Sequence, residues 1–227
     1  VLTACKDCEI GYYCPLVTGR TQCPQGKYQT QTRQTSSSSC KTCEVGYYCL
    51  NTESRSICAQ GKYQTQTGQT LASSCLTCDV GYYCPTTKAR VECGTGKYST
   101  QSGVTSSSTC RNCEKGSYCP DSTGQKPCAA GKYNNLEEQT NENACKICEK
   151  GYYSGLASSG CSKCSAGKVI EDSGSNDVMH ANSNACKACG AGTYSSAGND
   201  ECVKCNKGKY LPASSTASDH GGESKCK

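Results

Sequence analysis

Cys43-Glu-Val-Gly46-Tyr-Tyr48-Cys49, with Cys58-Ala-Gln-Gly61-Lys-Tyr63 after it, is the passage on which the reading of this chain turns. Each half carries a cysteine, a glycine three residues on and a tyrosine two residues after the glycine. Working outward, the cysteines at 5, 8, 14 and 23 return at 40, 43, 49 and 58, at 75, 78, 84 and 93, and at 110, 113, 119 and 128, a period of 35. Cys145 with Cys148 and Cys186 with Cys189 open two further units of about 41 residues, the fifth lengthened mainly over 169–184. A fixed period of this size marks a repeat architecture. The chain therefore divides into six tandem repeats, at residues 1–39, 40–74, 75–109, 110–144, 145–185 and 186–227.

Composition decides what such an array can be made of. Of 227 residues 25 are cysteine, there is no Trp or Phe, and apolar residues reach only 34%. Ordering a residue costs about 1–2 kcal/mol, which burial at roughly 25 cal/mol per Å² cannot offset here without cross-links. A single packed core is excluded and disulfides must supply the difference, which points to an oxidising, extracellular place. The net charge of +5 comes from 24 basic and 19 acidic residues that are interleaved, so nucleic acid is not implied. No stretch approaches the roughly 18 consecutive apolar residues of a membrane span. The opening Val1-Leu2-Thr3-Ala4 lacks a basic region before an apolar one, so any signal peptide or anchor is expected outside this sequence.

All 15 tyrosines lie in the half-unit motif, and of twelve half-units only Gly167-Lys-Val169 lacks the aromatic. Tyrosine is thus the expected packing unit, stacked on the adjacent disulfide and the next turn rather than forming a ligand cage. The glycine serves a sharp turn that needs positive φ. Between half-units run polar stretches such as Gln29-Thr-Gln-Thr-Arg-Gln-Thr, without helical periodicity. The expected fold is small, disulfide-rich and mostly β or irregular: an elongated rod of tandem repeats with no helix and no central core.

The repeats constrain cysteine pairing by comparison with one another. Where the first four have Cys14, Cys49, Cys84 and Cys119, the fifth and sixth have Ser154 and Ser195, and each gains Cys161 or Cys202 at the place of Arg20, Arg55, Arg90 and Gln125. The lost and gained positions serve one partner. In a serial scheme that partner is the second Cys, giving Cys8–Cys14 with Cys23–Cys40 and Cys148–Cys161 with Cys164–Cys186; Cys5 is left over. In a crossed scheme it is the first, giving Cys5–Cys14 with Cys8–Cys23 and leaving Cys226. The serial scheme spreads its stabilisation evenly, at roughly 3 kcal/mol for a loop of some 15 residues. An odd cysteine also suggests a chain joined to a longer array.

Written as Cys-x-x-Cys-x-x-Gly-x-Tyr, the motif resembles the ephrin-receptor-like cysteine-rich repeats, best in Cys148-Glu-Lys-Gly-Tyr-Tyr-Ser-Gly-Leu-Ala-Ser-Ser-Gly-Cys161-Ser-Lys-Cys164 and in the stretch from Cys189 to Cys205. It is similar, more distantly, to tumour-necrosis-factor-receptor modules and to the last loop of an EGF-like domain, a likeness that implies Cys148–Cys161. The first four repeats depart from the family in their extra Cys14-type residue, and look like long arrays on protist surfaces and in extracellular filaments. The resemblance implies an extracellular rod-like scaffold and no single activity.

Chemistry-bearing residues read weakly. Cys145-x2-Cys148-x12-Cys161-x2-Cys164 would suit a zinc ribbon, but the frame continues from repeats whose spacing fits no zinc site. His180 and His220 are expected as solvated loop residues. The acidic ladder Glu9, Glu44, Asp79, Glu114, Glu149 recurs once per repeat and offers no carboxylate pair, and Asp172 and Asp177 lack a calcium-loop pattern. Lys27, Lys62, Lys97, Lys132, Lys168 and Lys209 form a basic ladder, either a solvated surface or a device setting register between copies. The hydroxyl runs 36–39 and 105–109 are polar loops or sites for O-linked sugar. No catalytic, cofactor-binding or metal site is expected. The first functional expectation is a self-assembling structural protein of a coat, stalk or filament. The second is a receptor or adhesin ectodomain binding a protein through the non-repeating 169–184 segment, and the third a metal or redox protein.

Overall fold

A computed structural model describes residues 5–213 and 216–227; the N-terminal Val1-Leu2-Thr3-Ala4 stretch lies outside the described residues. The serial pairing holds throughout. Cys8–Cys14 and Cys23–Cys40 open the series, Cys148–Cys161 and Cys164–Cys186 continue it in the fifth repeat, and Cys189–Cys202 and Cys205–Cys226 close it. Cys5 is the free, exposed cysteine among the described residues.

In the first repeat, β1 (Tyr12–Leu16) and β2 (Gly19–Gln22) form an antiparallel hairpin in which Tyr12 faces Gln22 and Leu16 faces Gly19. The second half holds β3 (Lys27–Tyr28), which pairs antiparallel with β4 (Lys41–Thr42), so that the Cys23–Cys40 bridge and a two-residue ladder close the same loop. The polar run before Cys40 is a 3-10 turn, Ser37–Ser39, whose N-cap Ser36 accepts from the Ser38 N–H. Ser106, Asn141 and Asn182 cap the equivalent turns in the same way. The hydroxyl runs thus have a local structural job, since short polar side chains favour such caps over ladders. No described helix is long and apolar enough to cross a membrane, and all described helices are 3-10 turns of three or four residues.

Contacts group the chain into two units: one runs up to Gly94 with Ser99–Arg111, the other comprises Thr95–Tyr98 with Asn112–Lys227. Among the described residues neither holds a central core. In the first, Tyr28 packs on Cys43 and Cys49 of the following repeat, and Tyr63 on Cys78 and Cys84. In the second, Tyr98 packs on Cys113 and Cys119, while Ile170 joins Cys164, Cys186 and Tyr153. Tyr28, Tyr63 and Tyr98 therefore each pack on the next repeat's bridge, sulfur and ring standing in for aliphatic packing.

Candidate functional site: the periodic stacking face

The chemistry of the molecule is concentrated where one repeat meets the next. Gly11, Gly26, Gly46 and Gly61 take φ of +78°, +76°, +82° and +76°, as a left-handed turn after a cross-linked cysteine requires. They also lie against the backbone of the same half of the following repeat. A Cβ on Gly11 would stand 2.7 Å from Thr52 Oγ1, on Gly46 2.6 Å from Thr87 Oγ1 and on Gly26 2.5 Å from the Gly68 carbonyl oxygen, and on Gly61 it would overlap the Gly103 carbonyl. In the other unit Gly96, Gly116, Gly131, Gly151 and Gly167 are covered in the same way by Glu138, Ala157, Asp177, Asn199 and Ala217. Sequence reasoning supplied the turn but missed the seat: glycine is needed twice over, for its φ and for the close approach of the next backbone.

Backbone hydrogen bonds lock each seat. The Gly11 N–H donates to Gln29 O at 2.8 Å and the Gln29 N–H to Thr52 O at 2.9 Å; Gly46, Gln64 and Thr87 repeat the relay at 2.9 and 2.9 Å. The loop residue at the second seat donates to a cysteine carbonyl of the half-unit before it, Arg33 to Cys8 and Gly68 to Cys43, each at 2.8 Å.

In five of the six repeats a backbone carbonyl of the first half-unit accepts from a buried side chain. In repeats one and two the buried amides of Gln29 and Gln64 reach Tyr12 O and Tyr47 O at 3.4 and 3.5 Å, and in repeat four Asn134 reaches Ser117 O at 2.8 Å. In repeats five and six that amide is replaced by Ile170 and Leu211, and a histidine takes over. His180 Nδ1–H donates to Tyr152 O at 2.7 Å and His220 Nδ1–H to Thr193 O at 2.8 Å. This corrects the expectation that both histidines are solvated: each is 0% exposed. Their neighbourhood is Ser/Asn/Asp-rich, but the ring is drawn in by a carbonyl that an apolar neighbour has left without a partner. The sequence carries part of the signal: repeats five and six replace the amide by Ile170 and Leu211 and gain a histidine, whereas repeat three has Ser99 at that place and gains none.

His180 Nε2 lies 3.1 Å from Asp172 Oδ2. Burial pushes the Asp172 carboxyl up, but the N–H groups of Asn176 and Gly174, the His180 ring and the Ser175 hydroxyl outweigh it and hold the group below its ordinary range. Asp172 is thus committed to a local turn. Asp177 pairs instead with Lys132 at 3.7 Å, so the two carboxylates serve different partners. We expect His180→Gln to leave stability within about 1 kcal/mol of the parent, because glutamine caps the same carbonyl elsewhere, whereas His180→Ala loses about 2–4 kcal/mol through an unpaired carbonyl and a cavity. Thermal denaturation of the two variants checks this.

The acidic and arginine positions come together. Arg20, Arg55 and Arg90 pair with Glu9, Glu44 and Asp79 and stack over Tyr12, Tyr47 and Tyr82, with guanidinium-to-centroid distances of 4.3, 4.1 and 4.1 Å. Arg55 also lies 5.6 Å from the ring of Tyr28, and Arg90 5.7 Å from Tyr63, both in the preceding repeat. In repeat four Gln125 stands in this place and accepts from the Glu114 N–H at 3.3 Å. The positions that carry arginine in three repeats carry the bridging Cys161 and Cys202 in the last two, so an ionic staple and a covalent one alternate at one site. Ser154 and Ser195, where the cysteine is lost, are buried and donate to Lys132 O at 2.9 Å and Lys168 O at 3.3 Å.

At Glu44, burial pushes the carboxyl up, while Arg55 and the Tyr28 hydroxyl at 3.0 Å pull it below the ordinary range by more. A depressed folded-state value adds stability above about pH 4.3, the unfolded value, and that contribution fades as pH falls through the folded value. The pair is solvent-accessible, so acid titration should remove no more than about 1 kcal/mol here, and Glu44→Gln should flatten that step in a pH-dependent melt.

Cys145, Cys148, Cys161 and Cys164 each sit in a disulfide, so this set offers no thiolate to zinc. Among the described residues no group of three or more His, Cys, Asp or Glu side chains converges as a metal site. Of the basic ladder, Lys97 donates to Asn112 Oδ1 at 2.7 Å and pairs with Glu138 at 3.5 Å. No protein-family model matches the sequence, and no curated protein matches it.

Proposed function

We propose that the chain is an extracellular structural protein of the ephrin-receptor-like cysteine-rich kind. It would form a rod-like segment or subunit of a surface coat, stalk or filament, assembling with copies of itself and performing no catalysis. The observation that carries this reading is the repeated glycine seat: one contact, used again and again between successive repeats, adds length without adding a core. Twelve disulfides fit an oxidising place outside the cell. A 35-residue unit folded into three or four passes advances roughly 30 Å, so single copies should exceed about 100 Å in length. Electron micrographs of the unreduced protein test this: elongated particles joining into fibres are expected, and compact, separate particles would refute it.

A second reading, a receptor or adhesin ectodomain, draws on residues 177–180, where Val178 and Met179 are 73% and 39% exposed in the least repetitive segment. It predicts that Val178→Asp abolishes binding of a partner protein and leaves particle shape unchanged.

A further inference from the structure

We propose that the fifth repeat binds a guanidinium group, the arginine side chain of a partner protein, in the cleft where the second and third repeats place an arginine of their own. Such a site is independent of self-assembly.

In repeat two, Arg55 lies 4.1 Å from the ring of Tyr47 and 5.6 Å from that of Tyr28, and pairs with Glu44 at 2.6 Å. Repeat three builds the same cage from Tyr82, Tyr63 and Asp79 around Arg90. Repeat five keeps both rings and the carboxylate, as Tyr152, Tyr133 and Glu149, but has Cys161 in the place of the arginine. The Cys161 sulfur is tied to Cys148. What results is an open cleft of about 230 Å³ lined by Tyr133, Glu149, Tyr152 and Cys161. Tyr28 and Tyr63, beside Arg55 and Arg90, are buried, whereas Tyr133 is half-buried. Among the described residues Glu149 forms no ion pair, unlike Glu44 and Asp79. Lys163, two residues after Cys161, lays its stem against Gly198 and does not line the cleft.

Repeat six provides the internal contrast. Cys202 again replaces the arginine, and there both rings and the carboxylate are gone as well, with Val169, Thr193 and Gly190 in their places. A repeat without the arginine therefore folds without the cage, and repeat five holds one that its own chain leaves empty. Its walls are fixed by backbone: Tyr152 pairs with Lys163 and its carbonyl accepts from His180, while Tyr133 pairs with Lys146. Little ordering is then left to cost affinity on binding. The cleft is smaller than the roughly 300–1,000 Å³ of sites for drug-sized ligands, so it suits a single side-chain head. A flat guanidinium stacks on such rings while pairing with a carboxylate, which a compact, strongly hydrated ammonium does less well.

Calorimetric titration of the oxidised chain with N-acetyl-arginine amide, and with its neutral citrulline analogue, tests this. We expect a Kd on the order of 1 mM for the arginine probe and binding about tenfold weaker or worse for the citrulline probe. Glu149→Gln should weaken arginine binding by about tenfold or more, through loss of the charged partner. Ser154→Cys combined with Cys161→Arg gives repeat five the pattern of repeat two and should bind no probe in that repeat. Cys49→Ser combined with Arg55→Cys does the reverse and should add one equivalent of binding. Non-reducing mass mapping verifies the bridges in both. Equal affinity of the parent for the two probes would overturn the site. So would arginine binding unchanged by Glu149→Gln and by the refilled repeat five, or an unchanged stoichiometry in the reverse variant.

Discussion

Gly61→Ala is expected to destabilise the protein by about 2–5 kcal/mol, far more than an exposed-turn substitution normally does. Two terms add. An L-residue in the left-handed region costs roughly 1–2 kcal/mol, and the new Cβ overlaps the carbonyl of Gly103, a backbone atom that cannot swing aside as a side-chain end can. Overpacking of that kind typically adds about 1–3 kcal/mol. Gly208→Ala is the matched control, having φ +85° and nothing within 4 Å, so it bears the conformational term alone. Thermal melts of both, at concentrations where the chain is monomeric, isolate the contribution of the close approach. Equal losses for the two would show that glycine is needed only for its φ.

Cys49→Ser is expected to cost about 2–5 kcal/mol by removing the Cys43–Cys49 bridge. Most of that loss should return in Cys49→Ser combined with Arg55→Cys, which gives repeat two the pattern of repeat five. There, Ser154 replaces the cysteine and Cys161 bridges Cys148 from the arginine position. The double variant trades the Arg55 stack on Tyr47 and the pair with Glu44 at 2.6 Å for a covalent link. Non-reducing mass mapping should find Cys43 joined to position 55, and a melt should place the double variant within about 1–2 kcal/mol of the parent. A double variant as unstable as Cys49→Ser alone would mean that the two staples are not interchangeable.

These substitutions also mark how far the sequence could be read. The bridges were legible because the repeats act as an internal alignment: the loss of a cysteine at Ser154 and the gain at Cys161 occur together. The tyrosines were legible because no other aromatic is present to pack. What was hidden depends on distances between repeats, which no period reveals. The glycines announced a turn but not the backbone pressed against them. The stacking of Arg20, Arg55 and Arg90 was hidden because a guanidinium shows its value over an aromatic face only when the ring's position is known. His180 and His220 were misplaced because local composition pointed outward while an unpaired carbonyl pulled the ring inward.

The central claim is that bridges and repeat-on-repeat seating replace a hydrophobic core, and hydrogen exchange in a titration of reductant addresses it directly. As the bridges open, protection of the Gly11, Gly46 and Gly116 amides, which donate to Gln29, Gln64 and Asn134, should disappear together with resistance to proteolysis. Retention of that protection in the fully reduced chain would contradict the account.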